Sequence, residues 1–480
     1  MSPLPRRAYH WRGTSDAWHD WEETGPYADR IGALLDRAIH YAIFLGWEIH
    51  SRFPMVDADG RIETLLKKLV RRCAREPEFH AYLLFWDHAS FYIAMREKFQ
   101  RRLWSSLHPR IHFVFDPKLP WGASHHEKII LIDGIHAFCG GIDLCNKRRD
   151  YPEHHWTDPR RSLDQKHESH GPYHDRALEV QGDIVRALHE HAAQRWSRVS
   201  DIPFPAHDST ERQGIPPRIQ SGWTTYLSRT ASYPRPFFKR FRRGLPHPRR
   251  RAGIVRENER LVLALIRQAK KSILIEGQYF WSKRIARALM RKLATPVTNP
   301  LQITLILTDL TRLRALTRQM SAHGYQLLAA LEEAADHSGA RLTIGFPEVP
   351  PPKHTDGSSK PVYVHSKLVI VDDHYISIGS TNLAARAFRV DSEVNVTLEA
   401  RTSSERECIE QYLQSALTHW GLGAPPGSAA RLRIISAREE LARWSFTHPF
   451  FSRFPWKIFF DPEEPWWRSF KRWLKRVLTR

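Results

Sequence analysis
Two short stretches of this chain pair a histidine with a lysine two residues on and an aspartate five further. They are His126, Lys128 and Asp133 in HHEKIILIDG, and His365, Lys367 and Asp372 in VHSKLVIVDD. Imidazole and ammonium groups in this pattern suit phosphoryl chemistry. A neutral imidazole attacks phosphorus, a protonated one donates to the departing oxygen, and lysines neutralise the charge on the remaining oxygens. Each pair is followed by a small-residue corner, Gly140-Gly141-Ile142-Asp143 and Gly379-Ser380-Thr381-Asn382. Glycine admits close backbone approach, and Ser380 and Asn382 offer hydrogen bonds to phosphoryl oxygens. Gly141, Asp143, Ser380 and Asn382 are therefore expected against the phosphate. Each imidazole also needs an acid to set its tautomer and support its charged form. Asp391 and Glu393 follow the second corner, and Asp175 and Glu179 lie beyond the first. Glu393 and Asp175 rank first among them. Asp133 and Asp372 are read as structural, capping the turns after their strands. If the two pairs face one another, both imidazoles address one phosphorus, and water or an alcohol opens the phosphohistidine. Symmetry does not say which histidine attacks. The chemistry calls for no cofactor and no metal.

The elements that must position these groups recur in the same order. Ile129 to Ile132 and Leu368 to Val371 are uninterrupted apolar runs, as in strands covered on both faces. Turn residues follow each, so each strand is expected to return as a hairpin. In the first half, helical periodicity from Ile31 to Ala42 precedes a strand at 43–49. A helix at 65–74, a strand at 81–86, a helix at 91–104 and a strand at 111–116 follow. In the second half the order is helix 261–269, strand 272–276, helix 285–293, strand 303–309, helix 325–335 and strand 342–346. Equivalent elements lie about 220 to 240 residues apart. The pattern predicts an α/β fold of two duplicated halves, each a mixed, mostly parallel sheet flanked by helices. The halves are placed at residues 1–205 and 251–425. Residues 206–250, rich in Pro and Arg, are expected to be a linker or loop, either merely solvated or phosphate-binding.

Residues 426–480 differ in character. In PWWRSFKRWLKRVLTR, Trp466, Trp467, Phe470, Trp473 and Leu474 fall at helical spacing, with Arg468, Lys471, Arg472 and Lys475 largely on the other side. Such a helix either lies on an anionic membrane or packs its aromatic stripe on the domain. The 480 residues carry a formal net charge of +21, which favours anionic partners without choosing among lipid, nucleic acid and phosphorylated metabolites. Four scattered cysteines have no metal-ligand spacing, and no apolar run resembles a signal peptide or a spanning helix. A cytoplasmic protein, peripheral at the inner face of the membrane, is expected.

The chain resembles the phospholipase D superfamily over about residues 28 to 425. Beyond the repeated His-x-Lys-x4-Asp, GGIDLCNKRRD at 140–150 resembles the segment after the first motif in phosphatidylcholine-hydrolysing members. Pro172-Tyr173-His174-Asp175 resembles their Pro-Trp-His-Asp, and Ile275-Glu276-Gly277-Gln278-Tyr279-Phe280 their Ile-Glu-Asn-Gln-Tyr-Phe. Gly379 to Asn382 with Arg386, Asp391 and Glu393 completes the second motif. The resemblance implies halves packed about a pseudo-two-fold axis with the site between them. It also implies that His126 is the nucleophile and His365 the general acid. Gly277, Arg149 and Tyr173 depart from the family pattern at positions that bear on head-group preference. The compact layout resembles bacterial members and leaves no segment for regulatory lipid- or calcium-binding modules.

A phosphodiesterase or transphosphatidylase acting on glycerophospholipids, with water or alcohol as acceptor, is thus the leading expectation. The alternatives are a cardiolipin-synthase-like phosphatidyltransferase, a nuclease of the same superfamily, and a non-catalytic membrane- or nucleic-acid-binding scaffold. Synthases of that group commonly carry N-terminal membrane spans, the aromatic tail weighs against a nuclease, and both intact His/Lys pairs weigh against a scaffold.

Overall fold
A computed structural model describes residues 3–56, 60–87, 97–120, 122–163, 170–207, 222–232, 254–294, 301–309, 315–422 and 430–443. The two His/Lys hairpins form as the apolar runs require. Ile129–Ile132 pairs antiparallel with His136–Gly140, and Leu368–Val371 with Tyr375–Gly379. Every residue of these four strands is buried.

Each hairpin sits in the middle of its sheet. In the first half the order is Ala17–Glu22, Arg176–Gln181, His136–Gly140, Ile129–Ile132, Tyr41–Gly46, His80–Trp86, Ile111–Asp116. In the second, the run Glu393–Glu399, Tyr375–Gly379, Leu368–Val371, Ser272–Gly277, Gln302–Leu307, Arg341–Val349 repeats the same connectivity inside an 11-stranded sheet. The expected duplication is therefore seen strand by strand. The sheets are mixed, but the expectation that parallel pairs dominate needs correction. Only Tyr41–Gly46 with His80–Trp86 and His80–Trp86 with Ile111–Asp116 are parallel in the first sheet, against four antiparallel pairs. Helical crossovers enforce parallel pairing only on that side, while the hairpin turns back on itself and Arg176–Gln181 pairs antiparallel with its second strand.

Side-chain alternation assigns each strand to two cores. Ile129 and Leu131 meet Leu368, Ile370, Val394 and Val396 in a layer between the two sheets. Ile130 and Ile132 face the helices of the first half, and Val369 and Val371 those of the second. These two strands meet apolar neighbours on both faces, which accounts for the unbroken apolar runs. Stacking the sheets through their central strands brings the two motif loops together.

Other boundaries depart from the sequence reading. Within the segment 206–250 assigned to a linker, Trp223–Ser232 is a ten-residue strand pairing with Trp11–Ser15 and Glu393–Glu399. Its Thr, Ser and Arg side chains hide the strand in a polar composition, although most of them are buried. Residues 1–25, unassigned from sequence, contribute the strands Trp11–Ser15 and Ala17–Glu22, one to each sheet. Of the helix expected at 91–104, Gln100–Ser106 is observed, residues 97–99 are not helical, and residues 91–96 lie outside the described residues. The basic run at 239–251 and the amphipathic tail helix also lie outside them. Among the described residues no helix is long and apolar enough to cross a membrane.

Candidate active site
His126 and His365 face each other across the junction of the halves, with ring centroids 6.3 Å apart. Each takes its acid from the opposite half. His126 Nδ1 lies 3.0 Å from Glu393 Oε2, and His365 Nδ1 lies 2.7 Å from Asp175 Oδ2. The backbone repeats the exchange, since His126 N donates to Ser392 O at 2.9 Å and His365 N to His174 O at 2.7 Å. In both cases the accepting carbonyl belongs to the residue just before the acid. Two reciprocal contacts of this kind leave each Nε2 as the ring nitrogen not engaged by its carboxylate. The spacing suits one phosphoryl group between the rings, with reactive contacts of about 3–3.5 Å on either side.

The loop before each strand directs the lysines. Lys128 Nζ donates to His126 O at 2.9 Å, and Lys367 Nζ turns likewise to His365 O. Lys128 Nζ also lies 3.0 Å from Asp143 Oδ2. Asp143 further accepts from the backbone N–H of Trp47 at 3.2 Å. The expectation that Asp143 binds phosphate is thus corrected: a buried ammonium requires a counter-charge, and a carboxylate repels a phosphate. Ser380 is corrected similarly. Its hydroxyl donates to Glu393 Oε2 at 2.6 Å and accepts from Val394 N at 3.1 Å, so it holds the acid of the first dyad. Asn382, the counterpart of Asp143, is buried and its Oδ1 has no hydrogen-bond partner among the described residues.

Gly141 has a steric reason for its identity. A Cβ there would stand 2.1 Å from Asp175 Oδ1 and 3.1 Å from His365 O, displacing the dyad. Asp133 and Asp372 play the expected structural part, but for a neighbouring strand rather than their own turn. Asp133 accepts from the N–H groups of Ile39, His40 and Tyr41, and Asp372 from those of Lys270, Lys271 and Ser272. Each carboxylate thereby fixes the start of the strand beside its hairpin. The other acids weighed from sequence lie elsewhere: Asp391 pairs with Arg386 and Ser124, and Glu179 with Arg30, Trp21 and His136.

Burial and crowded cations tune the groups. Burial, then the charges of Lys128, Lys367 and Arg148, holds His126 well below the ordinary imidazole range. Burial and the same cations do so for His365. Burial pushes Glu393 well up and Asp175 to about 6, while Lys367 falls to about 7 through desolvation. The His126 side chain keeps 16% of its exposure and His365 only 5%. A neutral, partly exposed imidazole is suited to attack, and an entering phosphodiester anion favours the protonated form of its partner.

Tyr363 and Arg148, which sequence reasoning did not single out, join Tyr173 in a wall beside His365. Tyr173 and Tyr363 stack at 5.6 Å, Arg148 lies 5.3 Å over the Tyr173 ring, and Tyr173 lies 5.7 Å from His365. Gln278 donates to the Tyr363 hydroxyl. Arg148 stands within the run 140–150 that the sequence singled out, yet nothing in its spacing separates it from Arg149, which bonds Tyr151 instead.

Residues 262–420 match the family described as "Cardiolipin synthase, PLD-like domain". The chain is 23% identical over 436 residues to phospholipase D1 of Saccharomyces cerevisiae, covering 74% of this chain and 25% of the yeast protein. It is also 23% identical over 482 residues to phospholipase D alpha 4 of Arabidopsis thaliana, covering 79% of this chain and 61% of that one. The chain thus spans between a quarter and three fifths of these two relatives. Its fold is similar to that of phosphatidylserine synthase from Haemophilus influenzae, with a TM-score of 0.54 at 13% identity over 89% of this chain and 90% of the other.

Proposed function
The chain belongs to the phospholipase D superfamily, and from that premise we propose that it cleaves the head-group phosphoester of glycerophospholipids. The observation that carries this reading is the reciprocal exchange of acids, His126 with Glu393 and His365 with Asp175, around one shared space.

His126 Nε2 attacks phosphorus and forms an N–P bond, while His365 donates its Nε2 proton to the departing alcohol oxygen as the P–O bond breaks. Lys128 and Lys367 neutralise the phosphoryl oxygens, and Glu393 supports the positive charge that grows on His126. His365, now neutral, takes a proton from water or an alcohol, whose oxygen displaces His126. Water gives phosphatidic acid, and an alcohol gives a new phosphodiester. The assignment of His126 as nucleophile follows the family resemblance. Phosphatidyl transfer to a lipid alcohol is the second reading, favoured by the synthase description of the matched family.

Incubation with phosphatidylcholine and ethanol tests the proposal, with phosphatidic acid and phosphatidylethanol as expected products. Cardiolipin formed from phosphatidylglycerol with neither of these products would select the transferase. Turnover of DNA without turnover of lipid would refute both.

A further inference from the structure
Behind the Asp175–His365 dyad lies a second, deeper cluster that the proposed chemistry does not use. His154, His174, His419 and Glu23 are all buried, and their ligand-type atoms lie within 4.8 Å of one another. The three imidazoles form a nearly even triangle, with centroids 5.3, 5.5 and 5.7 Å apart. His154 Nε2 stands 3.1 Å from Glu23 Oε1 without the alignment of a hydrogen bond, and His174 Nδ1 contacts the same oxygen. Donor atoms around a tetrahedral zinc ion, at about 2.0–2.1 Å from it, stand roughly 3.3 Å from each other.

The opposite ring nitrogens carry the stronger argument. His154 Nδ1 lies 3.0 Å from Asp150 Oδ2, His174 Nε2 lies 3.1 Å from Glu276 Oε2, and His419 Nδ1 lies 3.4 Å from Glu22 Oε1. Every imidazole thus turns one nitrogen toward the centre and the other toward its own carboxylate, the arrangement that orients metal-bound histidines and raises their basicity. Charge agrees. With neutral imidazoles, Asp20, Glu22, Glu23, Asp150 and Glu276 outnumber Arg161 and Arg176 by three, an excess of negative charge that a bound dication or protons on the imidazoles would reduce.

We propose that Glu23, His154, His174 and His419 bind one structural divalent cation of the zinc class, in an N3O tetrahedron. The donor set is closed and buried, with no sulfur among its members, and Zn2+ accepts imidazole and carboxylate in this geometry. Such an ion joins the halves: His419 ends the helix Ser403–His419 of the second, while the other three ligands belong to the first. It also anchors the backbone at His174, whose carbonyl accepts from His365 N and whose neighbour Asp175 holds the His365 ring.

The test reads metal rather than lipid turnover, so its result is independent of the reaction proposed above. Full-length protein from zinc-supplemented cells, dialysed against buffer, is expected to hold about one zinc per chain by mass spectrometry. X-ray absorption at the zinc edge is expected to show nitrogen and oxygen near 2.0 Å, an imidazole scattering pattern and no sulfur. His419→Ala and His154→Ala should each lose the zinc, and stripping wild type should lower its Tm. Wild type needs no substitution to decide the matter. A chain that purifies without stoichiometric zinc, and whose Tm does not rise on adding zinc chloride, would overturn the proposal in favour of an imidazolium–carboxylate cluster. Stoichiometric zinc held through sulfur would overturn the assignment of ligands.

Discussion

The crossed dyads make opposite predictions for two nearly isosteric substitutions. Asp175→Asn replaces a buried carboxylate 2.7 Å from His365 Nδ1 by a neutral amide. The contact matters most when His365 is charged, because the carboxylate then faces an imidazolium. A hydrogen bond to a charged group contributes about 1.5–3 kcal/mol. The Coulomb attraction at this separation is at most about 6 kcal/mol at an effective dielectric of about 20, and it overlaps with the hydrogen bond. Together they place the loss near 3–5 kcal/mol, or about 10² to 10⁴-fold in rate. The loss should depend on the leaving group. Phosphatidylcholine, whose choline departs as an alcohol needing a proton, should show the whole effect in the first step, and the burst of p-nitrophenol from an aryl phosphatidyl ester should show little of it. Glu393→Gln acts on the nucleophile instead and should slow both substrates by comparable factors. Single-turnover release of the leaving group by the two variants on the two esters, with far-UV circular dichroism as a control for folding, completes the assay. If Asp175→Asn slowed both esters equally, the division of labour between the histidines would fail.

Further outcomes follow from the same geometry. His126→Ala should abolish turnover of every substrate, whereas His365→Ala should retain measurable turnover of the aryl ester, read by p-nitrophenol release. Because Lys367 titrates at about 7, its charge is present below that pH and is lost above it; His126, held low, remains neutral into mild acid. The pH profile of kcat/KM should therefore fall as pH rises through neutrality, and a Lys367→Arg variant, unable to lose its charge, should be slower but lack that limb. Gly141→Ala places a methyl group on Asp175 and His365 O; about 1–3 kcal/mol of overpacking and a loss of kcat beyond 10²-fold are expected from thermal melts and phosphatidylcholine assays. Removal of residues 461–480 should weaken turnover of anionic vesicles more than of a soluble short-chain ester, and equal losses would assign the tail to packing.

Much of the site was legible because the same residue types recur at the same spacing in both halves. Strands packed on both faces favour unbroken apolar runs, so Ile129–Ile132 and Leu368–Val371 announced both hairpins and left His126, Lys128, His365 and Lys367 as the polar residues at their entrances. The order of elements in each half followed from the same periodicities, and with it the duplication. Only tertiary structure decided which acid serves which histidine. Glu393 lies 267 residues from His126 and Asp175 lies 190 from His365, and sequence spacing within a half does not encode a partner in the other. The same holds for Asp143 and Ser380, which hold Lys128 and Glu393 rather than phosphate. Trp223–Ser232 escaped notice because its buried polar side chains find their partners from distant segments, as Ser15 with Thr225 and Asn258 with Ser228. Local pattern reports which face of an element is buried. Partners for buried charge are set by docking, because the free energy of a charge away from water depends on what stands beside it in space.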